Sequence, residues 1–258
     1  MRTHRLPAAL ALSALALTAL TACDSGGSGG SGGGSKDAAP SAPASSTASP
    51  SPTAPALADL PASDIAEKSQ AAGRKLKSVT MTISLPGHPE GPFSGTFSED
   101  ASGNCTGTYT FEGKGSVEIV RVGDKVWTKP SAAYLKATAP GIPAERVGKW
   151  FVEENSPTGM AKFCDLGVQL EKRVGLDTPG TPSSSLRKGD TKQVDGAPAI
   201  SLTMTDDSGK PVRYDIAAEG EPRLLATETG TGEMVVKLGD FDKPVQATAP
   251  AADQVVQG

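Results

Sequence analysis

Val79-Thr-Met-Thr-Ile-Ser-Leu85 alternates apolar and hydroxyl side chains without a break. A period of two gives a strand with one dry face and one wet face. The same phase recurs nearby. Phe93 and Phe97 alternate with Ser94, Thr96 and Ser98, and Cys105, Tyr109 and Phe111 alternate with Thr106, Thr108 and Thr110. Val117 to Val122 and Lys125 to Thr128 flank Gly123-Asp124, a hairpin turn. The pattern returns late in the chain. Ile200, Leu202 and Met204 alternate with Ser201, Thr203 and Thr205, and Val212, Tyr214 and Ile216 follow across Asp207-Ser208-Gly209. Leu224 to Thr229 and Met234 to Leu238 flank Gly230-Thr231-Gly232. Short strands at regular spacing predict an antiparallel meander.

Helical stretches stand before and between the strands. Asp64 and Glu67 have capping-box spacing, and Ile65, Ala72 and Leu76 share one helical stripe, which predicts a helix over 64–76. Gly73 weakens it. Residues 131–138 and 144–148 read as short helices or turns, and 150–152 as a brief strand. Residues 158–173 fit one or two helices carrying Cys164, and 178–185, rich in Pro and Ser, read as a loop. The order of helix, strands, helices, strands is α+β, with helices gathered on one face of an antiparallel sheet. The dry faces of 79–85, 93–97, 105–111, 200–204 and 212–216 are expected on one concave side of a single sheet, under the helices at 64–76 and 158–173.

The N-terminus carries a different signal. Arg2, His4 and Arg5 precede an apolar run from Leu6 to Leu20, shorter than the roughly 20 residues of a membrane span but apt for export. The run ends in Leu20-Thr-Ala-Cys23, the pattern of a bacterial lipobox. Residues 1–22 are therefore expected to be a signal peptide. Cys23 is the expected lipidation site, bearing diacylglycerol whose acyl chains are of the palmitate kind. Two chains suffice for stable attachment to the outer face of the cell membrane. Residues 23–57, nearly all Gly, Ser, Ala, Pro and Thr after the cysteine, form the expected tether, too poor in apolar surface to fold. Some 30 such residues reach roughly 30 Å. Residues 58–258 make one domain of ordinary size.

Charge and cysteine content narrow the function. Without the signal, 23 basic and 29 acidic residues remain, a net charge of −6, and no basic run of five or more follows Cys23. Nucleic acid is not an expected partner, and neither is a lipid surface held by basic residues. Cys105 and Cys164 are the remaining pair, and an exported chain favours a disulfide between them over a redox role, for which Cys-x-x-Cys spacing is missing.

Catalytic signals are sparse. The mature chain has one histidine, His88, in the turn Pro86-Gly-His-Pro89. It reads as an exposed loop residue, so neither a Ser-His-Asp triad nor a histidine metal cluster can be built. Ser185-Leu-Arg-Lys188 matches Ser-x-x-Lys, yet its partner motifs are missing and it lies in or beside a loop. No phosphate loop or dinucleotide fingerprint occurs. An enzyme is not expected, nor is any cofactor, metal or catalytic residue.

Several segments together resemble the LolA-like lipoproteins of actinobacteria, the LprG and LppX group. They are the lipobox and tether, Gly103-Asn-Cys-Thr-Gly-Thr-Tyr109, the run from Gly115 to Pro130, Lys149-Trp-Phe-Val152, Phe163-Cys-Asp-Leu166 and Asp240-Phe-Asp-Lys-Pro-Val245. The resemblance implies a strongly curved antiparallel sheet, a half-barrel, closed by helices over a hydrophobic cavity. It also implies an acylated lipid or lipoglycan as cargo, and brings no catalytic residues. Few aromatic and many small residues set this chain apart from that pattern. Met81, Ile83, Phe93, Phe97, Tyr109, Phe111, Leu202, Met204, Tyr214 and Ile216 are the candidates to line such a cavity. The competing reading makes all of them plain core, and the protein a non-enzymatic envelope scaffold or sensor module that binds a partner protein.

Overall fold

Eleven strands hydrogen-bond into one open antiparallel sheet, ordered β6-β5-β4-β3-β2-β1-β13-β12-β11-β10-β9. A computed structural model describes residues 56–153, 159–178, 181–182 and 184–256; of 176–178 and 181–182 only the backbone is described. The expected signal peptide, Cys23, most of the tether and Thr158 lie outside the described residues.

The first run of strands is β1 (Ser78–Leu85), β2 (Phe93–Asp100), β3 (Cys105–Phe111), β4 (Gly115–Val122), β5 (Lys125–Pro130) and β6 (Phe151–Glu153). A separate small hairpin follows, of β7 (Leu176–Thr178) and β8 (Thr181–Pro182). The second run is β9 (Arg187–Val194), β10 (Ala197–Thr205), β11 (Pro211–Ala217), β12 (Leu224–Thr229) and β13 (Met234–Gly239). The helices are α1 (Ala62–Gly73), α2 (Ala132–Thr138) and α3 (Leu166–Lys172), with a 3-10 turn, Met160–Cys164, leading into α3. Each run is a succession of hairpins, and the two meet where β1 pairs with β13.

Register makes the alternation into a face. Met81 lies opposite Phe97 on one side and Leu238 on the other, and Ile83 lies opposite Val236. Further out, Tyr214 faces Leu202 and Ile216 faces Ile200. All of these except the half-buried Tyr214 are buried. The side chains between them, such as Thr82, Ser94, Thr96 and Thr203, are exposed. Buried residues of α1, the 3-10 turn and α3 join the apolar face in one core: Ile65, Ala66, Phe163 and Val168 are among them. The sheet is curved and left open, and its concave side is the one that the helices cover.

Four expectations need correction. Helix α1 starts at Ala62 behind Pro61, so Asp64 sits within the first turn and caps nothing. Proline suits a helix start because its missing N–H is not needed there and its φ is already helical. The helix also stops at Gly73 rather than 76, and Leu76 is buried just beyond it. The 178–185 loop contains part of the β7–β8 hairpin. Finally, 187–194 form a strand that was not expected, β9, which has no apolar alternation; the Ser-x-x-Lys match runs into its start, beside the loop as read. The strand pairs on one side only, so little of it is buried and no period marks it.

Candidate functional site

Gly73 marks the tightest approach between the helices. A Cβ there would sit 2.4 Å from the carbonyl oxygen of Glu171, so glycine lets α1 cross close over α3. Two more glycines act on the sheet. A Cβ at Gly95 would meet the Phe97 ring at 2.6 Å, and one at Gly107 would meet the same ring at 2.6 Å. The Phe97 ring therefore lies flat across β2 and β3, over the space that two side chains would fill.

On that floor an aromatic cluster assembles. Phe163, from the 3-10 turn, stacks on Phe93 and Phe97 with ring centroids 5.2 and 5.4 Å away. Phe111 stands edge-on to Phe93 at 5.2 Å and to Tyr109 at 6.2 Å. His88 packs near Phe111, 5.2 Å between centroids, so it is a turn residue leaning on the cluster rather than a free one. Burial pushes the Tyr109 hydroxyl well above its ordinary range, which keeps it neutral.

The candidate lining residues divide by place. Met81, Ile83, Phe93, Phe97, Tyr109 and Phe111 lie on β1 to β3, under Phe163 and α3 or beside them. Leu202 and Ile216 lie on β10 and β11 in the same core, with Tyr214 packed against it. Met204 is buried outside that cluster, with its sulfur 3.9 Å from the Tyr214 hydroxyl. Met81, Ile83, Phe97, Leu202 and Ile216 are at most 1 % exposed. The five described depressions of the surface are lined by none of the ten. In this state their faces are filled by one another and by the helices.

The helical layer is fastened by the expected disulfide and by polar groups that the sequence reading passed over. Cys105 is bonded to Cys164, with Cα atoms 5.5 Å apart. Beside it, Arg121 donates to both oxygens of Asp165, at 2.7 and 2.6 Å, and to the carbonyls of Gly103 and Cys164. Such a two-pronged pair fixes geometry as well as charge. Its hydrogen bond to Asp165 holds the Arg121 guanidinium above its usual range.

Two carboxylates are fully buried beneath and within α3. Glu99 accepts from the Val168 N–H at 2.7 Å, and Glu171 accepts from the Leu224 N–H at 3.2 Å. The second oxygen of each has no hydrogen-bond partner among the described residues. Desolvation dominates, pushing each carboxyl up to about 8 despite the nearby Arg121 and Arg223. Both are therefore largely neutral at pH 7. Gly167 makes room for the first: a Cβ there would lie 2.5 Å from Glu99 Oε1. The sequence held one usable clue. Glu99 and Arg121 fall in the dry phase of their strands, two residues beyond Phe97 and Ile119.

Among the described residues, no group of three or more His, Cys, Asp and Glu could hold a metal ion. Among them also, no helix is long and apolar enough to cross a membrane.

No protein-family model matches the sequence, and no curated protein matches it. Solved structures do match. LppX, a lipoprotein of Mycobacterium tuberculosis, superposes with a TM-score of 0.45 at 17% identity, over 72% of this chain and 98% of that one. A LolA-superfamily protein from Nitrosomonas europaea gives 0.24 at 11% identity, over 75% and 96%. LprF from Mycobacterium bovis gives a TM-score of 0.52 at 13% identity, over 74% of this chain and 97% of that one. The chain therefore has the fold of LprF, the curved sheet under helices that its resemblance to the LolA-like group implies.

Proposed function

We propose that this chain is a lipoprotein, held by a diacylglyceryl group on Cys23 at the extracytoplasmic face of the cell membrane, that binds or carries an acylated lipid or lipoglycan against the apolar face of its sheet. One observation carries this reading. Apolar side chains from both halves of the sheet share one face, and α1, the 3-10 turn and α3 pack over it. Phe163 and Val168 belong to a segment joined to the sheet by the disulfide at Cys164 and by Asp165, so an acyl chain that displaces α3 has to break its remaining ties, Glu99 to Val168 and Glu171 to Leu224, while the Cys164 end stays bonded. The LprF-like fold supports the same reading. Carriage asks the helical layer to yield space, because nearly all of the candidate residues are closely packed. Acyl chains then replace Phe163 and the helix side chains as partners of Phe93 and Phe97.

That close packing also favours the second reading, a scaffold or sensor module whose core is only a core and whose surface binds a partner protein. Native mass spectrometry of the full chain, purified from its own membrane, separates the two. A retained mass matching an acylated lipid, beyond the anchor itself, is expected. Repeated purification without any such mass removes the carrier reading and leaves the scaffold.

A further inference from the structure

The wet face of the sheet is not uniform. Thr82, Thr96, Thr108 and Glu118 form one row across β1 to β4. The rows on either side place Ser or Thr at every position of β1, β2 and β3. The only charge in these rows, Glu118, is paired with Lys129 at 2.8 Å. Over β9 to β13 the same face is charged. Lys192 and Arg213 converge on Asp215, Arg213 also reaches Glu228, and Lys237 reaches Asp195. Strand propensity favours threonine equally in both halves, so it does not account for the division.

A groove of about 310 Å³ lies in the uncharged half. Thr96, Ser98, Thr106, Thr108 and Trp150 line it, together with Glu118, whose charge Lys129 offsets. Thr96 and Thr108 are exposed, and their hydroxyls make no hydrogen bond among the described residues. Trp150 is half-buried and held by its backbone: its N–H donates to Gln254 at 2.9 Å, and Val256 donates to its carbonyl at 2.8 Å. The ammonium of Lys129 sits over its ring, 4.9 Å from the centroid.

We propose that this groove binds a neutral polysaccharide, with one sugar ring stacked on Trp150 and its hydroxyls bonded to the threonine rows. The C–H face of a sugar is apolar and flat enough to lie on an indole. Sugar hydroxyls both donate and accept, as threonine hydroxyls do. An anionic ligand finds no free cation here, since Lys129 is committed to Glu118. A groove of this size matches a small-ligand site rather than a protein interface. It lies on the opposite face from the apolar side chains, so it can fail or succeed independently of lipid carriage.

The test uses the full chain in detergent and a panel of uncharged oligosaccharides: arabinan, galactan, mannan, cellulose and chitin fragments. Calorimetry and tryptophan fluorescence read binding, and fatty-acid uptake is scored separately. At least one fragment is expected to bind, with an affinity that added salt leaves unchanged. Trp150→Ala is expected to weaken it about tenfold through the lost ring face. The paired change Thr96→Val and Thr108→Val keeps strand propensity and is expected to cost about fivefold through lost hydrogen bonds. Thr203→Val, on the charged half, is expected to change nothing. The proposal is overturned if no fragment binds at millimolar concentration, if the valine pair binds like the parent, or if salt abolishes binding.

Discussion

The Glu99 carboxyl group accepts a 2.7 Å hydrogen bond from the backbone N–H of Val168, and its other oxygen is buried without a hydrogen-bond partner among the described residues. This bond ties β2 to the first turn of α3. It also makes the fold sensitive to pH. In the unfolded chain the carboxyl ionises near 4.5, whereas in the folded chain it keeps its proton up to about 8. The folded state thus binds more protons between those values. The stabilisation is complete below 4.5 and drains away as pH rises to about 8. Glu171 acts in the same direction. Replacing both by Gln is expected to flatten the fall of Tm across that window. An unchanged slope in the double variant refutes the assignment.

The bond between Cys105 and Cys164 closes a loop of 59 residues. Chain entropy alone gives it about 4 kcal/mol of stabilisation. Reduction is expected to lower the urea midpoint accordingly. A count of two free thiols in the denatured, unreduced protein contradicts the pairing.

Gly73→Ala sets two effects against each other. Alanine favours a helix by about 1 kcal/mol over glycine. Its Cβ, however, would lie 2.4 Å from the Glu171 carbonyl oxygen and 2.7 Å from the carbonyl carbon, both backbone atoms. Overpacking of this kind costs about 1–3 kcal/mol, so Tm is expected to fall. A rise in Tm means that α1 and α3 do not cross there.

Ile83 and Leu202 are 1 % and 0 % exposed, from opposite halves of the sheet. Replacing either by Trp is expected to cost about 1–3 kcal/mol by overpacking. On the carrier reading, each replacement also blocks uptake of a fluorescent fatty acid. A parent protein that never takes up the probe ends that reading, whatever the variants do.

Cys23→Ala is expected to release the protein from the membrane or to leave it unprocessed. Detergent partitioning and intact mass decide the matter. A mutant that still carries an acyl mass shift contradicts the lipobox reading.

The strands were legible because each buries one face and wets the other, as Val79 to Leu85 does. Helix α1 was legible in its stripe, with Ile65 and Ala72 buried as their spacing predicts. Its start was not, because Pro61 initiates the helix by conformation while Asp64 has the look of a cap. Strand β9 left no trace, since an edge strand with polar side chains on both faces has no period to read. The role of Phe163 was equally hidden. Its stacking on Phe93 and Phe97 joins residues 70 and 66 positions apart, and only the fold brings them together. Gly73 read as a weakness in its helix, and Gly95 and Gly107 carried no reading. Each instead admits a neighbour that a methyl group would displace.

The position of β13 beside β1 governs how the chain reaches this fold. Within each half, successive strands pair with their neighbours in sequence, and hairpins of that kind close in microseconds. The seam between halves joins Met81 to Leu238 and Ile83 to Val236, with most of the domain lying between them in sequence. Pairings so far apart carry the largest loop-closure cost and set the pace of folding. Each half therefore exposes a raw strand edge until the seam forms, β1 on one and β13 on the other. Those two edges need protection until the seam forms, because self-association by edge pairing competes with the seam for the same hydrogen bonds.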